Sequence, residues 1–517
     1  MASTVRFELG AEEAARFTQG AYLAAHTAGE PVSREIVSLW FDTPERELHE
    51  RGVAVRIDRE KERRVQAVTL GNGREGETFG HPMTEGRQVS GAGGAEATSE
   101  WHTDLVGDGP APGVLPEGPA RDLLLRPDVE ARLAPVFSAA LSREERRLRL
   151  PRGGEARLVL EAGELTAGST AVPFRLGTLE LLAGREAQLY QLALRLHREC
   201  PFRLRDKDLA ARGYEILAPL TPAARKAPKV ALDPGLTAGE AFRRIATSCV
   251  AHLRANEACA VAGQDQEGVH QMRVASRRLR SAISVFRESL PGAWTGRLAR
   301  EVRWLTGEMA PAREWDVFLA ETLAPLRETM PEEPTLALLA ARGAEARGRA
   351  YERVRGAIAD PRYARLVLDL SRALAEGWEA TAPVVAAARA VLAARHEKAF
   401  RAGTNLDDLD AEGLHRLRIR MKQLRYAVEF FEGLFHGKAP RRYASALADL
   451  QDCLGLLQDV AVTQPLLTSV AEGEDKGALA HAAGLVSGWQ AAAARRARGR
   501  LVRRFERFTA RQRFWEP

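Results

Sequence analysis

The sequence predicts an α+β N-terminal half, an antiparallel sheet closed into a barrel, followed by an all-α half divided into two bundles. Three observations carry this. Short alternating apolar runs fill residues 1 to about 216. From Thr237 onward the periodicity is helical and rich in Ala, Leu, Arg and Glu. One arginine-rich stretch occurs twice in that second half.

At 517 residues the chain is long enough for two to four domains, and 45% apolar content suffices for their cores. The formal net charge is only +6, so the placement of charge says more than its sum. Four cysteines without C-x-x-C spacing predict a reducing compartment with neither disulfide framework nor zinc site. The start lacks a basic segment followed by an apolar one, and no apolar run reaches the roughly 20 residues of a membrane span. These features predict a soluble cytoplasmic protein with no membrane partner.

Val5–Leu9 alternates as a strand, Ala11–Ala25 reads as a helix, and Ile36–Asp42, Val53–Ile57 and Val65–Leu70 read as further strands. Residues 71–126 turn to Gly, Glu, Pro and Thr and are expected to form a flexible insertion. Strands resume at Arg146–Leu150, Glu155–Glu161 and Leu179–Leu181, a helix follows over Glu186–Glu199, and the domain closes near residue 216. Four prolines within 217–236 predict a semi-stiff linker. Helices are expected over 238–261, 267–289, 294–309, 314–327, 335–357, 362–378, 383–402, 412–435, 440–456, 459–471 and 476–508, as bundles 237–375 and 380–517.

The repeated stretch is His270-Gln-Met-Arg-Val-Ala-Ser-Arg-Arg-Leu-Arg280 and His415-Arg-Leu-Arg-Ile-Arg-Met-Lys-Gln-Leu-Arg425, with the two histidines 145 positions apart. His270, Arg273, Arg277 and Arg280 match His415, Arg418, Lys422 and Arg425, and Phe286 matches Phe431. On a helix the four polar positions fall within roughly 80°. Met272, Ala275, Leu279 and Ile283 lie opposite, as do Leu417, Met421, Leu424 and Val428 in the second copy. Residues 270–287 hold five arginines and no acid, and 415–425 hold four arginines, one lysine and no acid. Like charges at this spacing repel, so a matched pair of such stripes points to an anionic ligand; pairing with acids on neighbouring helices is the alternative. His270 and His415 are expected to donate hydrogen bonds to that ligand, with His270 held neutral in its absence by its arginine neighbours. Further contributors are Arg254, Lys398, Arg401, Arg300 and Arg303, and Arg495–Arg513 adds nine arginines against one glutamate.

Residues 237–517 resemble a CHAD domain, the helical domain named for its histidines. The resemblance rests on both motif copies, Ala312–Val317 with its counterpart Leu454–Val460, and Phe514-Trp515. It implies two four-helix bundles related by a pseudo-twofold axis, with a basic groove that binds inorganic polyphosphate. Residues 1–216 resemble a CYTH domain of the triphosphate-tunnel metalloenzymes through Ser38–Pro44, Gly52–Arg56, Leu179–Leu181 with Gly184, and Ala211–Tyr214. That family hydrolyses or cyclises triphosphates, with acids holding a divalent metal and Lys/Arg holding phosphate. Its E-x-E-x-K pattern is eroded here to Glu8 and Glu180, and Asp58 stands where a second arginine is expected.

These readings together predict a protein that is not an enzyme. It would bind inorganic polyphosphate in the groove, be targeted to polyphosphate granules and their associated proteins, and carry an inactive tunnel domain. No catalytic residue, metal site or cofactor is assigned. The alternatives are a triphosphatase or nucleotide cyclase acting through residues 1–216, or a nucleic-acid-binding protein. The stripes lack the interleaved aromatics that stack bases, which counts against nucleic acid.

Overall fold

The computed structural model describes residues 2–70, 87–91, 98–219, 221–290, 292–377, 380–471 and 475–516. The chain forms two compact units, one of residues 1–221 with 359–376 and the other of 222–358 with 377–517.

The first unit is built on strands β1 (Ala2–Glu8), β2 (Thr27–Asp42), β3 (Val53–Glu60), β4 (Arg63–Leu70), β5 (Arg87–Gly91), β6 (Thr98–Asp104), β7 (Ala134–Leu150), β8 (Gly154–Ala167), β9 (Thr170–Ala183) and β10 (Arg203–Leu204). They pair in the order β10-β1-β5-β6-β4-β3-β2-β7-β8-β9, and an added β1–β9 pairing closes the sheet into a barrel. The β1–β5 pairing is parallel, unlike the antiparallel β2–β3, β7–β8 and β8–β9 ladders. Alternation explains the two faces of β3. Val53, Val55 and Ile57 enter a core with Val68 and Leu124, while Arg56 and Asp58 point the other way. Strand β7 begins at Ala134, well before Arg146, because its charged stretch finds cross-strand partners such as Arg143 to Glu161 on β8.

Helices α1 (Ala11–Thr18), α2 (Ala21–His26), α3 (Glu47–Glu50), α4 (Pro119–Leu124), α5 (Pro127–Glu130), α6 (Glu186–Glu199) and α7 (Leu209–Leu217) complete residues 1–221. The expected flexible insertion 71–126 lies partly outside the described residues. Inside it, β6 pairs with β4, and Leu115, Ala120, Leu123 and Leu124 are buried, so apolar contacts order that part. Helix α6 packs through Leu189, Leu192, Ala193 and Leu196 with Phe7, Leu158 and Leu179. Leu368, from the helix Pro361–Glu376, enters the same core. That helix, placed by the sequence in the first bundle, belongs to the barrel unit.

The second unit is helical: α8 (Ala238–Ala255), α9 (Glu257–Ala262), α10 (Glu267–Val285), α11 (Gly292–Glu308), α12 (Ala310–Val317), α13 (Ala324–Thr329) and α14 (Pro334–Ala359), then, after α15 (Pro361–Glu376) of the first unit, α16 (Val384–Ala402), α17 (Ala411–Phe431), α18 (Ala439–Val470) and α19 (Lys476–Thr509). The expected linker is anchored at Arg225, whose backbone N–H donates to the Asn256 Oδ1 at 2.8 Å and whose carbonyl accepts from Asn256 Nδ2 at 2.9 Å. Thr237 opens α8 with a capping box to Glu240. Helix α18 is continuous through the break expected near residue 458.

Helices α10 and α17 bury the apolar faces read from the sequence. The repeat-related Phe286 and Phe431 meet edge to face with ring centroids 5.7 Å apart. Arg278, one of the five motif arginines, is buried; its Nε lies 2.9 Å from Glu429 Oε1 on α17, and its guanidinium lies over the Phe430 ring. This arginine ties the motif helices together and is not available to a ligand.

Replacing Glu429 by alanine strands the buried Arg278 charge and is expected to lower denaturation stability by about 3 kcal/mol. Arg278→Met with Glu429→Leu should cost less, since no charge is then left buried.

Candidate functional site

The stripes of α10 and α17 converge on Lys422. This half-buried lysine is pushed down to about 7 by burial first, then by Arg418, Arg277, Arg425 and Arg273. Two of those arginines come from each copy of the motif. Burial, then Arg277, likewise holds Arg273 down to about 10, with Glu314 opposing. Arg273 donates to the Thr306 carbonyl at 3.0 Å, and its Nε is buried with no hydrogen-bond partner. Burial, Arg303 and Arg277 lower Arg280. His270 is lowered by burial and then by Arg313, with further lowering from Arg277 and Arg273 against Glu267, so it is neutral near pH 7.

The remaining expected residues divide. His415 and Arg425 are exposed on α17, and Arg425 donates to Gln451 Oε1 at 3.0 Å. Arg300 and Arg303 are both exposed on α11, and only Arg303 acts on a motif residue, Arg280. Arg254, expected as a contributor, is corrected. It is buried on α8 with Glu257 2.8 Å away, so its charge is already met. Arg401 is exposed and paired with Glu397 at 2.7 Å, and Lys398 is exposed on the same helix. Neither is brought to Lys422.

Four participants were missed in the sequence. Arg313 and Glu314 on α12 reach His270 and Arg273. Tyr426, raised by burial, hydrogen-bonds Arg277. Gln451 links Arg425 to the Met421 carbonyl. Tyr426 directly follows Arg425 and could have been read from the motif, and Arg313 and Glu314 lie in the Ala312–Val317 stretch already singled out; Gln451 lies outside the stretches singled out.

The barrel holds a second charged cluster. Asp58 accepts from Ser38 Oγ at 2.6 Å and lies 2.9 Å from Arg56 and 3.8 Å from Arg143. Arg143 also pairs with Glu161 at 2.8 Å, and Arg56 lies 3.8 Å from Glu100. Burial opposes the Glu100 charge, but His102, then Arg56, hold its carboxyl at about 2. Burial also opposes the Arg56 charge, yet Asp58, Glu100 and Glu161 outweigh it and raise Arg56. Glu180 pairs with Arg157, and Glu8 with Arg205 and Arg212. Among the described residues, no group of three or more His, Cys, Asp or Glu side chains is placed to hold a metal ion. With each carboxylate engaged by a guanidinium, the residues do not fit the divalent metal that the tunnel resemblance implies, and no step is derived through one. Also among the described residues, no helix is long and apolar enough to cross a membrane.

A family model described as the CHAD domain matches residues 244–468. The CHAD domain from the plant Ricinus communis is 32% identical, with a TM-score of 0.50 over 56% of this chain and 99% of that one. PptA from Streptomyces chartreusis is 17% identical, TM-score 0.43, over 52% of this chain and 100% of that one. A putative adenylyl cyclase from Hippeastrum, described as revealing a dominant triphosphatase activity, is 13% identical, TM-score 0.28, over 41% of this chain and 94% of that one. A search of curated proteins returns no match.

The expectation that the chain is not an enzyme is corrected. Structures similar to the N-terminal region include an enzyme, and the barrel carries Arg56, Asp58, Glu100, Arg143 and Glu161 together where the sequence offered two isolated glutamates.

Because Lys422 titrates near 7 in the folded protein and near 10.4 unfolded, the unfolded chain binds more protons between those values. Stability is therefore expected to rise with pH from about 7 to 10 through this residue. Lys422→Met should flatten that rise in denaturant titrations across the range.

Proposed function

The chain belongs to the CHAD-domain family, and on that premise we propose that its helical unit binds inorganic polyphosphate along the stripes of α10 and α17. The observation that carries this reading is Lys422, half-buried, with Arg418, Arg277, Arg425 and Arg273 all opposing its charge. A partly buried cluster of like charge is stabilised by a ligand that brings negative charge to several points at once. A phosphate chain does so without bases to read. Each guanidinium fork can engage two phosphate oxygens, while Lys422 acts as a point charge. His270 is neutral in the free protein and gains a proton, and a hydrogen bond to phosphate, as the polyanion arrives. Targeting to polyphosphate granules would follow from this affinity.

A second reading concerns the barrel. Triphosphate hydrolysis or cyclisation there is favoured by the convergence of Arg56 and Arg143 with Asp58, Glu100 and Glu161. In this reading the two arginines hold the triphosphate as it displaces their carboxylate partners. The Hippeastrum protein, described as a triphosphatase, supports this class of activity over a purely scaffolding role.

Arg273→Glu with Arg418→Glu should abolish binding of short polyphosphate at near-physiological salt; retained binding would remove the groove reading. For the barrel, phosphate release from tripolyphosphate is measured with and without added Mg²⁺ or Mn²⁺. Release that falls at least tenfold in Arg56→Ala supports hydrolysis, and absence of release from wild type with any nucleoside or inorganic triphosphate removes it.

A further inference from the structure

Helix α19 carries a second arginine row that the groove does not use. Arg496, Arg500, Arg503 and Arg507 stand at i, i+4, i+7 and i+11, within roughly 60° of one another on a helix. The row is about 16 Å long at 1.5 Å per residue. All four residues are exposed, and among the described residues none is ion-paired to a carboxylate. Glu506 is the one acid between Arg495 and Arg513, and it falls to one side of the row. The spacing nearly repeats the i, i+3, i+7, i+10 pattern of His270 to Arg280.

The opposite face of α19 is spent on packing. Ala497, Leu501, Phe505 and Phe508 are buried there, so the helix has no apolar stripe to offer a lipid surface. The buried phenylalanines are equally withheld from stacking on nucleic-acid bases. What faces solvent is a line of guanidiniums. Beside the row, Arg504 donates to the Asp449 carbonyl at 2.5 Å and to Cys453 Sγ at 3.2 Å, which fixes α19 against α18.

We propose that this row is a second track for inorganic polyphosphate, engaged by chains too long for the groove. The proposal rests on the groove reading above. A chain gripped at both places gains a high effective concentration for the second contact, so the row adds affinity only for long chains.

The test titrates the full-length protein with short and long polyphosphates at several salt concentrations. The variant carries Arg496→Gln, Arg500→Gln, Arg503→Gln and Arg507→Gln, and circular dichroism checks its fold. It should bind the short chain as wild type does and bind the long chain at least tenfold more weakly. Its salt slope for the long chain should be shallower by roughly three, the counterion release of four phosphate contacts. Unchanged long-chain affinity and slope, with short-chain binding intact, would overturn the row alone. A wild type that binds neither chain would instead overturn the groove reading and the row with it. Stronger capture of duplex DNA than of long polyphosphate at equal charge, lost in the variant, would overturn the choice of occupant.

Discussion

The contact between α10 and α17 is the constraint on which the helical unit depends. Each helix alone is an amphipathic element with too much charge on one face. Packing Phe286 on Phe431 and pairing buried Arg278 with Glu429 holds the two helices in one orientation. That orientation places Arg273 and Arg277 from one copy, and Arg418 and Arg425 from the other, around Lys422. The apolar faces are buried at the expense of these charges: Lys422 and Arg273 are held down first by burial and then by the neighbouring arginines. On the proposed reading a polyanion would relieve that cost, which would couple binding to stability.

Much of this was legible in the sequence because the repeat writes the same physical requirement twice. The apolar positions of both motif helices followed from 3.6-residue spacing; the direction of the His270 shift was read correctly, but its main causes are burial and Arg313, with the motif arginines after them. Long-range pairing was not legible. Arg278 and Arg277 are adjacent arginines in the motif, yet one is a buried tie to Glu429 and the other sits beside Lys422. The difference is one 100° step around the helix and a partner 151 positions away, from Arg278 to Glu429. Arg254 misled for the same reason, since Glu257 meets its charge one turn later. Helix α15 reads as one more amphipathic segment of the helical half, and nothing in its sequence says that Leu368 joins the barrel core.

The barrel shows where a motif-based reading fails. Counting survivors of one strand pattern left Glu8 and Glu180, both of which serve arginines. The residues that gather inside the barrel unit come from β3, β6, β7 and β8, and only the register of the closed sheet brings them together. On the proposed readings the helical unit would hold a phosphate chain along its cation stripes, and the barrel unit would hold a compact triphosphate among its paired charges.

The central claim is that the cluster around Lys422 is a cation site awaiting an anion. It is tested most directly by calorimetric titration of polyphosphate at pH 8 in two buffers of different ionisation enthalpy. The free lysine is mostly deprotonated at that pH, so the account predicts proton uptake on binding that falls by close to one proton per site in Lys422→Met, the remainder belonging to His270. Binding with the same heat in both buffers, and so with no proton taken up, would contradict it.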